Sequence, residues 1–544
     1  MKWLRRIFFS VAITVIAMAV GCSAMLRHWQ ASPPPLPPEA TAVLAQRIVE
    51  HDGKRWVGRC WAGQHEGLPV LYLTGTPFEM GYASGLLNRD RLYALEDAAL
   101  AMVHRYVPHE WTITLLKNYI IYRNRHLMEF VPPRFQMELF GMTRGCPDIH
   151  PKLGSYYNRV LNYHAAQDIS YMLIDNPLVM GNGCTSFGAW GTATANGHLL
   201  AGRNFDWEAD PIFDRDRLVT LCEPADGIPF VSLAWAGMAG VVSGLNRAGV
   251  SVALNGAPSE LPHEIGTPAA IVAREILERA HNLAEATAIL EDAHVFVSTL
   301  WLIGSRADGR FIVVEKTPQA TQVREPTGDQ IICANHFMTD GLKDLARNVT
   351  FRSDSTSVAR YARVGELMNA PLTIPRVVEI LRDRNLAGDQ FAGNGHRSSL
   401  NADIATHSTA TDLTAGIFWA ATTPHLLGKF VAFDVNDFAR KLPAETVPAD
   451  PALKTFAQYQ QAQKCLTDGH LALKNDKPHL ALKMAEQAQA LNPGFYENAT
   501  LQGRALLALG RTNEATQAFT AALAGKPAFA KERKELEALI HAAR

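Results

Sequence analysis

The feature that most constrains this chain is a short motif near its middle, Gly-Asn-Gly-Cys-Thr-Ser-Phe at residues 181–187. A flexible glycine, Gly183, comes directly before the thiol of Cys184. Glycine tolerates the strained backbone that is required when a thiol attacks the carbonyl group of the preceding residue. Hydrolysis of the resulting thioester would leave Cys184 as a new N-terminus, with an α-amine of unperturbed pKa about 7.7–8.0. Because such an amine can accept the thiol proton, the motif predicts self-cleavage between Gly183 and Cys184 and an N-terminal cysteine nucleophile.

Four further motifs occur in order around this cysteine. They are Gly-Thr-Pro-Phe-Glu-Met-Gly-Tyr-Ala-Ser-Gly (75–85), Gly-Arg-Asn-Phe-Asp-Trp (202–207), Gly-Leu-Asn-Arg-Ala-Gly-Val-Ser-Val-Ala-Leu-Asn (244–255) and Ala-Asn-His-Phe (334–337). With this series the chain resembles, from about residue 70 to about residue 435, the isopenicillin-N acyltransferase family (peptidase family C45) of N-terminal-nucleophile hydrolases. The resemblance implies an α+β fold, a four-layer αββα sandwich. Blocks of strand-like and helix-like sequence alternate after Cys184, which agrees with that fold.

The chain departs from the family at one place. The family often has an arginine at or just before the position of Thr406, whereas this chain reads Asp-Ile-Ala-Thr-His-Ser at residues 403–408. We therefore expect a substrate-binding arginine to be absent or to come from another segment.

Arg203 and Asp206 are the first candidate partners of the cysteine. They lie three residues apart and are flanked by Phe205 and Trp207, which predicts a partly apolar pocket. In that pocket Arg203 would hold the thiolate and Asp206 would orient the α-amine or the substrate. The alternative is a surface ion pair, worth about 0–1 kcal/mol.

Two asparagines are candidates for the oxyanion hole. Asn335 follows the apolar run of residues 331–334 and so stands at the end of a predicted strand. The resemblance implies that its side-chain amide donates to the oxyanion, an interaction worth roughly 3–4 kcal/mol in comparable sites; the alternative is a turn residue. Asn255 ends the similar run Val250–Leu254 and is the second candidate.

Composition excludes several other kinds of protein. The formal net charge is -1, and a nucleic-acid partner would need a basic surface. Walker, CxxC and HExxH motifs are absent from the sequence, so we predict neither a cofactor nor a metal. The seven cysteines do not have the spacing of a disulfide scaffold.

Residues 1–26 are predicted to be a targeting segment. Positive charges at Lys2, Arg5 and Arg6 precede an uncharged run of 15 residues, Ile7–Gly21. Cys22 follows in a sequence that resembles a bacterial lipoprotein box, and the run extended to Leu26 has 20 residues, just enough to span a bilayer. A lipidated Cys22 and an uncleaved anchor both remain open. Either one predicts a protein of the bacterial cell envelope that is held at the membrane and faces the periplasm or the outside.

Three more segments complete the predicted organisation. Residues 27–42 form a proline-rich linker, residues 43–440 a hydrolase domain divided at Cys184 into parts 43–183 and 184–440, and residues 452–544 a tetratricopeptide-like all-α domain. The last assignment rests on pairs of residues that are each 34 apart: Gly469 and Gly503, Ala481 and Ala515, Ala485 and Phe519, Ala488 and Ala522, Pro493 and Pro527. Binding of a protein partner in a groove, packing on the rest of the chain and a dimer contact are alternative roles for these repeats.

Two functional classes follow from these observations. The first is an autoprocessed cysteine hydrolase that cleaves the linear C–N bond of a small-molecule acyl amide, or transfers its acyl group, through a thioester on Cys184. The second is a catalytically inert, membrane-tethered scaffold that binds partners through its repeats. The intact set of Cys184, Arg203, Asp206 and Asn335 favours the enzyme, because a scaffold does not need these residues.

Overall fold

The computed structural model describes residues 24–165, 168, 183–258, 264–440 and 446–542. The predicted targeting segment up to Ser23, including the predicted lipidation site Cys22, lies outside the described residues, as do Gly181 and Asn182 of the cysteine motif. Among the helices in the described ranges, none combines the length and the apolar character needed to cross a membrane.

Two large sheets form the centre of the molecule. The strands are β1 (Val49–His51), β2 (Lys54–Val57), β3 (Cys60–His65), β4 (Leu68–Gly75), β5 (Gly183–Gly191), β6 (Gly197–Asp206), β7 (Arg217–Pro224), β8 (Phe230–Trp235), β9 (Ser243–Asn246), β10 (Val250–Gly256), β11 (Thr299–Ser305), β12 (Arg310–Lys316), β13 (Thr321–Arg324), β14 (Gln330–Cys333), β15 (Asn385–Leu386), β16 (Gln390–Phe391), β17 (Ala405–Asp412), β18 (Ile417–Ala421) and β19 (Phe430–Asp434). Within the described residues, one sheet has eleven strands in the order β1-β2-β3-β4-β7-β8-β9-β10-β11-β12-β13, and the other has six in the order β14-β5-β6-β17-β18-β19. Strands β4 and β7 pair in parallel, and the other pairs in these sheets are antiparallel.

Helices cover both sheets and continue to the C-terminus. They are α1 (Ala40–Ala45), α2 (Pro77–Leu87), α3 (Arg89–Tyr106), α4 (Glu110–Arg123), α5 (Pro133–Gly145), α6 (Tyr156–His164), α7 (Ile212–Arg215), α8 (Ala269–Arg279), α9 (Leu283–Asp292), α10 (Ala346–Asp354), α11 (Ser357–Leu367), α12 (Ile374–Leu381), α13 (Phe456–Lys474), α14 (Pro478–Leu491), α15 (Tyr496–Ala508), α16 (Thr512–Ala524) and α17 (Ala530–Ala542). Short 3₁₀ turns lie at Leu127–Phe130, Pro151–Leu153 and Pro451–Thr455.

Three apolar cores separate four layers. One core lies between helices α2, α5, α6, α8 and α9 and the eleven-stranded sheet. A second lies between the two sheets and contains Val231, Phe311 and Phe418. A third lies between the six-stranded sheet and helices α11 and α12. Because both faces of each sheet are covered, strands such as β8, β10 and β18 are buried at every residue. The four-layer αββα arrangement predicted from the sequence is confirmed.

The helical layer over the larger sheet is packed through glycines. Gly81 and Gly85 of α2 face Gly141 and Gly145 of α5, and a methyl group added at Gly81 would overlap the carbonyl oxygen of Glu138. Only glycine allows two helix backbones to come this close. The predicted motif at residues 75–85 therefore has a packing role, since it fixes the helical layer in place.

The last part of the chain is all-helical, as predicted. Helices α13 to α17 pack on one another in sequence order, and Gly469 and Gly503 lie against Leu501 and Phe519. The structure does not test whether these helices are tetratricopeptide repeats, and that assignment stays a prediction. So do the exact domain boundaries and the protein partner.

The helical region also packs on the hydrolase body. Asn492 exchanges two hydrogen bonds of 2.9 Å with the backbone of Asn394, and His396 Nε2 lies 2.9 Å from the carbonyl oxygen of Lys526. Gly393, with φ +89°, lies so close to Phe495 that an added methyl group would overlap the Cβ, Cα and N atoms of Phe495. These contacts fix residues 393–396, the segment that leads to Arg397.

Candidate active site

The site forms where β5 and β6 meet at one end of the smaller sheet. The antiparallel register places Gly183 opposite Asp206 and Cys184 opposite Phe205. Ser186 lies opposite Arg203, and since side chains alternate along a strand, Cys184 and Arg203 share one face of the sheet. A single antiparallel pairing thus brings the two predicted motifs together.

The thiol of Cys184 is buried beside a positive charge. Cys184 is 4% exposed, and Nη2 of Arg203 lies 3.9 Å from its Sγ. Burial raises the pKa of the Cys184 thiol, while the charge of Arg203 acts in the opposite direction. The guanidinium therefore partly offsets the loss of solvation that a buried thiolate would suffer.

Arg203 is itself held by a polar cluster between the sheets. Its guanidinium donates to the hydroxyl of Ser243 and to the carbonyl of Leu254, and Nη1 lies 2.7 Å from Nε2 of His407. Burial and the neighbouring arginine hold the pKa of His407 well below its usual value, so the ring is neutral and Nε2 can accept a hydrogen bond from Arg203. His407 was not predicted as a site residue.

Asn335 contacts the nitrogen that the proposed cleavage would release. Its Oδ1 accepts a hydrogen bond of 2.9 Å from the backbone N–H of Cys184, and its Nδ2 donates at 2.9 Å to the carbonyl of Gly256. In this arrangement the amide donor is directed at a backbone carbonyl. The predicted oxyanion role therefore stays a prediction that requires Nδ2 to leave Gly256, whereas contact with the future α-amine is already formed.

Arg360 on α11 is a site residue that sequence reasoning missed. Its Nη1 donates to the carbonyl of Cys184 at 2.6 Å and to Oγ1 of Thr185 at 2.7 Å, and Nη2 donates to Oδ1 of Asn335 at 2.8 Å. Thr406, where the family often has arginine, instead lies with its hydroxyl 3.3 Å from the carbonyl of Phe205. A guanidinium thus reaches the site from a different element.

Asp206 lies beside the residue that precedes the nucleophile. A methyl group built on Gly183 would be 3.6 Å from Oδ2 of Asp206 and 3.3 Å from Nη2 of Arg360. Burial raises the pKa of Asp206 to about 6, although the nearby arginines 360, 397 and 203 act to lower it. Within the described residues Oδ1 has no hydrogen-bond partner. The carboxyl group is therefore placed to interact with a molecule that occupies the position of Gly183 once the chain is cleaved.

Asn255, the second oxyanion candidate, is directed at strand β14. Its Nδ2 lies 3.1 Å from the carbonyl of Cys333, 2.9 Å from that of Ala334 and 3.2 Å from Oγ of Ser186. These contacts support the strand end on which Asn335 stands. The amide reaches three acceptors of the fold, and its predicted catalytic role is not tested by this geometry.

An apolar cavity opens next to the thiol. Its volume is about 250 Å³, and Cys184, Asp206 and Gly256 contribute to its wall. Most of the remaining wall is apolar and includes an aromatic group, Phe205, Trp207, Phe213 and Trp235, together with Leu92 and Leu95 of α3. Such a space suits an apolar group attached to a carbonyl that Cys184 attacks. In the part of the chain that is described, no cluster of His, Cys, Asp or Glu is arranged to hold a metal ion.

Comparison with known proteins supports the resemblance found in the sequence. Residues 192–399 match the family model of acyl-coenzyme A:6-aminopenicillanic acid acyl-transferase. The matched segment includes Arg203, Asp206, Asn335 and Arg360 and begins after Cys184. The predicted relationship to this family is confirmed over the matched residues. The comparisons do not test the tetratricopeptide-like assignment.

The curated relatives are distant and longer than the matched region. An uncharacterized protein of Archaeoglobus fulgidus is 25% identical over 272 residues, which cover 47% of this chain and 44% of that protein. Protein dcd1B of Dictyostelium discoideum is 27% identical over 241 residues, which cover 40% of this chain and 44% of that protein. The chain thus matches less than half the length of either relative.

Similar solved structures include an amidase and an acylase. The Caenorhabditis elegans ortholog of N-acylethanolamine-hydrolyzing acid amidase is 17% identical, with a TM-score of 0.32, and the match covers 42% of this chain and 93% of that one. Penicillin V acylase from Agrobacterium tumefaciens is 16% identical, also with a TM-score of 0.32, and the match covers 47% of this chain and 89% of that one.

Proposed function

We propose that this protein is a self-processing cysteine hydrolase that cleaves the C–N bond of a small acyl amide, or transfers its acyl group, through a thioester on Cys184. The observation that carries the proposal is the arrangement around one residue. The thiol of Cys184 faces Arg203 and an apolar cavity. The backbone N–H of the same residue donates a hydrogen bond to Oδ1 of Asn335. A buried structural cysteine needs neither of these partners.

Processing begins with attack of Sγ on the carbonyl carbon of Gly183. The peptide bond to the nitrogen of Cys184 breaks, the thiol proton goes to that nitrogen, and Gly183 becomes a thioester of Cys184. Water then hydrolyses the thioester, which leaves a carboxylate on Gly183 and both a thiol and an amine on Cys184. Arg203 stabilises the developing thiolate, and Arg360 and Asp206, which flank Gly183, hold the segment in place.

Turnover uses the groups that processing has released. The α-amine takes the thiol proton, and the thiolate attacks the substrate carbonyl. The amine product leaves with a proton, and water or an acceptor amine resolves the acyl thioester. Oδ1 of Asn335, which accepts from this nitrogen before cleavage, keeps the amine in position afterwards. The apolar cavity beside Cys184 favours an apolar acyl group.

The chain is further proposed to be anchored at the bacterial cell envelope by its N-terminal segment, either through lipid on Cys22 or by an uncleaved anchor. The alternative of an inert scaffold is not supported, because the family match includes Arg203, Asp206 and Asn335, which a scaffold would not need. The acyl thioester can react with water, which gives hydrolysis, or with an amine, which gives acyl transfer. The two reactions differ only in the second substrate.

The test is the mass of the purified chain. Wild-type protein is expected to give two chains divided between Gly183 and Cys184 under denaturing conditions, and Cys184→Ala a single chain. Cys465→Ala is the matched control, since Cys465 is a similarly buried cysteine of the C-terminal helices and its loss should leave processing intact.

A screen of acyl amides on the processed enzyme then identifies the substrate. Cleavage of amides by a wild-type chain that stays intact would overturn the role of the α-amine as base. Splitting of the Cys184→Ala chain at the same bond would remove Cys184 from processing.

A further inference from the structure

Helix α4 presents large apolar side chains to solvent along one side. Trp111, Leu115, Tyr119 and Tyr122 are 65%, 58%, 47% and 46% exposed, and their spacing of four, four and three residues places them on the same side of the helix. Ile121 is the one side chain of this helix that is fully buried. We refer to these four residues as the aromatic face. Contiguous exposure of this kind marks an interaction surface.

The residue types of the aromatic face fit the surface of a bilayer. Tryptophan and tyrosine are enriched at the boundary between lipid and water, where the ring is apolar and the N–H or O–H group stays hydrated. Basic residues lie beside the face: Arg123 follows Tyr122 on α4, and Arg125 stacks over the ring of Tyr122 at 4.6 Å. Positive charge next to an apolar face is typical of helices that lie on anionic membranes.

The N-terminal segment meets the same helix. The ring of Trp29 lies 5.1 Å from the ring of Tyr122, and the backbone N–H of Ala31 donates to Oδ1 of Asn158 on α6 at 3.0 Å. The chain that follows the predicted targeting segment is therefore fixed against the aromatic face.

The length of the connection limits the distance to the membrane. Seven residues lie between Gly21, at the end of the predicted apolar run, and Trp29, and the eight Cα–Cα steps can span at most about 29 Å when fully extended. A bilayer that holds either the apolar run or a lipid on Cys22 must therefore lie close to α4. Both the residue types of the aromatic face and its position near the anchor suit contact with a lipid surface.

We propose that the aromatic face of α4 is a lipid-contacting surface that lies on the bilayer in which the N-terminal segment is anchored. The face then gives the hydrolase body a defined orientation on the membrane, which a flexible tether alone would not provide. The inference depends on the predicted anchor and is independent of the chemistry of Cys184.

A fluorescent probe on the full-length protein tests this proposal. Leu115→Cys, labelled with an environment-sensitive dye, is reconstituted into vesicles of phosphatidylethanolamine and phosphatidylglycerol. Leu471→Cys is the matched control, because Leu471 is a leucine of similar exposure, 55%, on helix α13. Wild-type protein treated with the same dye gives the background signal that comes from labelling of the native cysteines.

We expect the emission at position 115 to shift to the blue in vesicles and to be quenched by lipids that carry a doxyl group, while position 471 stays water-like. A water-like emission at 115 in vesicle-bound protein would overturn the proposal, as would failure of the full-length chain to bind vesicles. A blue shift that depends on protein concentration and is insensitive to doxyl lipid would assign the face to a second copy of the chain and would also overturn it.

Discussion

Burial determines the charge states of the side chains around Cys184. Arg203, Asp206 and Arg360 are each 3% exposed or less, so water does little to stabilise their charges. The charge state of each group therefore depends on the charges of the other two. For Asp206 the loss of water outweighs the neighbouring arginines, and its pKa rises to about 6. For Arg203 and Arg360 burial lowers the pKa, but from a value so high that both stay charged.

The raised pKa of Asp206 predicts a pH dependence of stability. The folded chain binds a proton at Asp206 more tightly than the unfolded chain, whose carboxyl group has the ordinary aspartate pKa of 3.8, so this contribution to stability is present at low pH and is lost as the pH rises through about 6. The difference of about two pKa units corresponds to about 3 kcal/mol.

Urea unfolding of the unprocessed Cys184→Ala chain, with and without Asp206→Asn, measures this contribution. Comparing the two isolates Asp206 from the other buried carboxyl groups, because these are present in both proteins. Asp206→Asn should gain stability relative to its parent by about 2 kcal/mol between pH 4 and pH 7, because at pH 4 the unfolded carboxyl group is already partly ionised. Parallel pH curves for the two proteins would show that Asp206 titrates at its ordinary pKa in the folded chain.

Motifs predicted some site residues and missed others for a physical reason. Arg203 and Asp206 stand on the strand that pairs with the cysteine strand, so local sequence already brings them near Cys184. Arg360 is far along the chain on α11, where an arginine looks like any polar residue of an amphipathic helix. The missing arginine at Thr406 predicted that a guanidinium could come from elsewhere, but only the packing of α11 on the sheet shows from which element.

At the level of secondary structure, β17 is a strand that the sequence did not predict. Strand β17 reads Ala-Thr-His-Ser-Thr-Ala-Thr-Asp and has no large aliphatic side chain, yet every one of its residues is buried. It lies between β6 and β18, with Thr409 opposite Arg203. Small side chains fit there because α12 packs on this part of the sheet. Such a strand is specified by its neighbours and has no periodic signal of its own.

The packing of α2 on α5 yields a prediction at the same scale. In Gly81→Ala the new methyl group would overlap the carbonyl oxygen of Glu138, so the two helices must move apart. We expect the free energy of unfolding to fall by about 1–3 kcal/mol, as in other overpacked cores. Gly365→Ala on α11 is the control: Gly365 is an exposed helical glycine, and the nearest atom to an added methyl group is Cδ1 of Ile332 at 3.7 Å.

The control substitution should raise stability by about 0.5–1 kcal/mol, because alanine is the better helix former. Midpoints of urea unfolding for the two variants and wild type measure both effects. Equal midpoints for Gly81→Ala and wild type would show that the helices can separate without loss of packing.

At the scale of the whole molecule, the C-terminal helices are in contact with the hydrolase body near the site. The segment that they hold, residues 393–396, leads directly to Arg397, whose Nη1 lies 2.6 Å from Oε2 of Glu208. Glu208 is two residues after Asp206. Helix α17 also contacts α10 of the body. Sequence reasoning left packing and partner binding as alternatives, and it could not choose between them because the contacts join residues about a hundred positions apart, such as Asn394 and Asn492.

Asn492→Ala tests whether these contacts position the site. The substitution removes both hydrogen bonds to the Asn394 backbone and should loosen the segment that carries Arg397. Since small displacements of positioning groups have large effects on turnover, we expect kcat/KM on an acyl-amide substrate to fall by roughly tenfold. Hydrogen exchange of residues 390–397, followed by mass spectrometry, should become faster in the variant. Asn475→Ala, at an exposed asparagine that follows α13, should leave both measurements unchanged. Unaltered exchange and turnover in Asn492→Ala would mean that the catalytic body holds this segment without the C-terminal helices, whose role would then have to lie in contacts with another molecule.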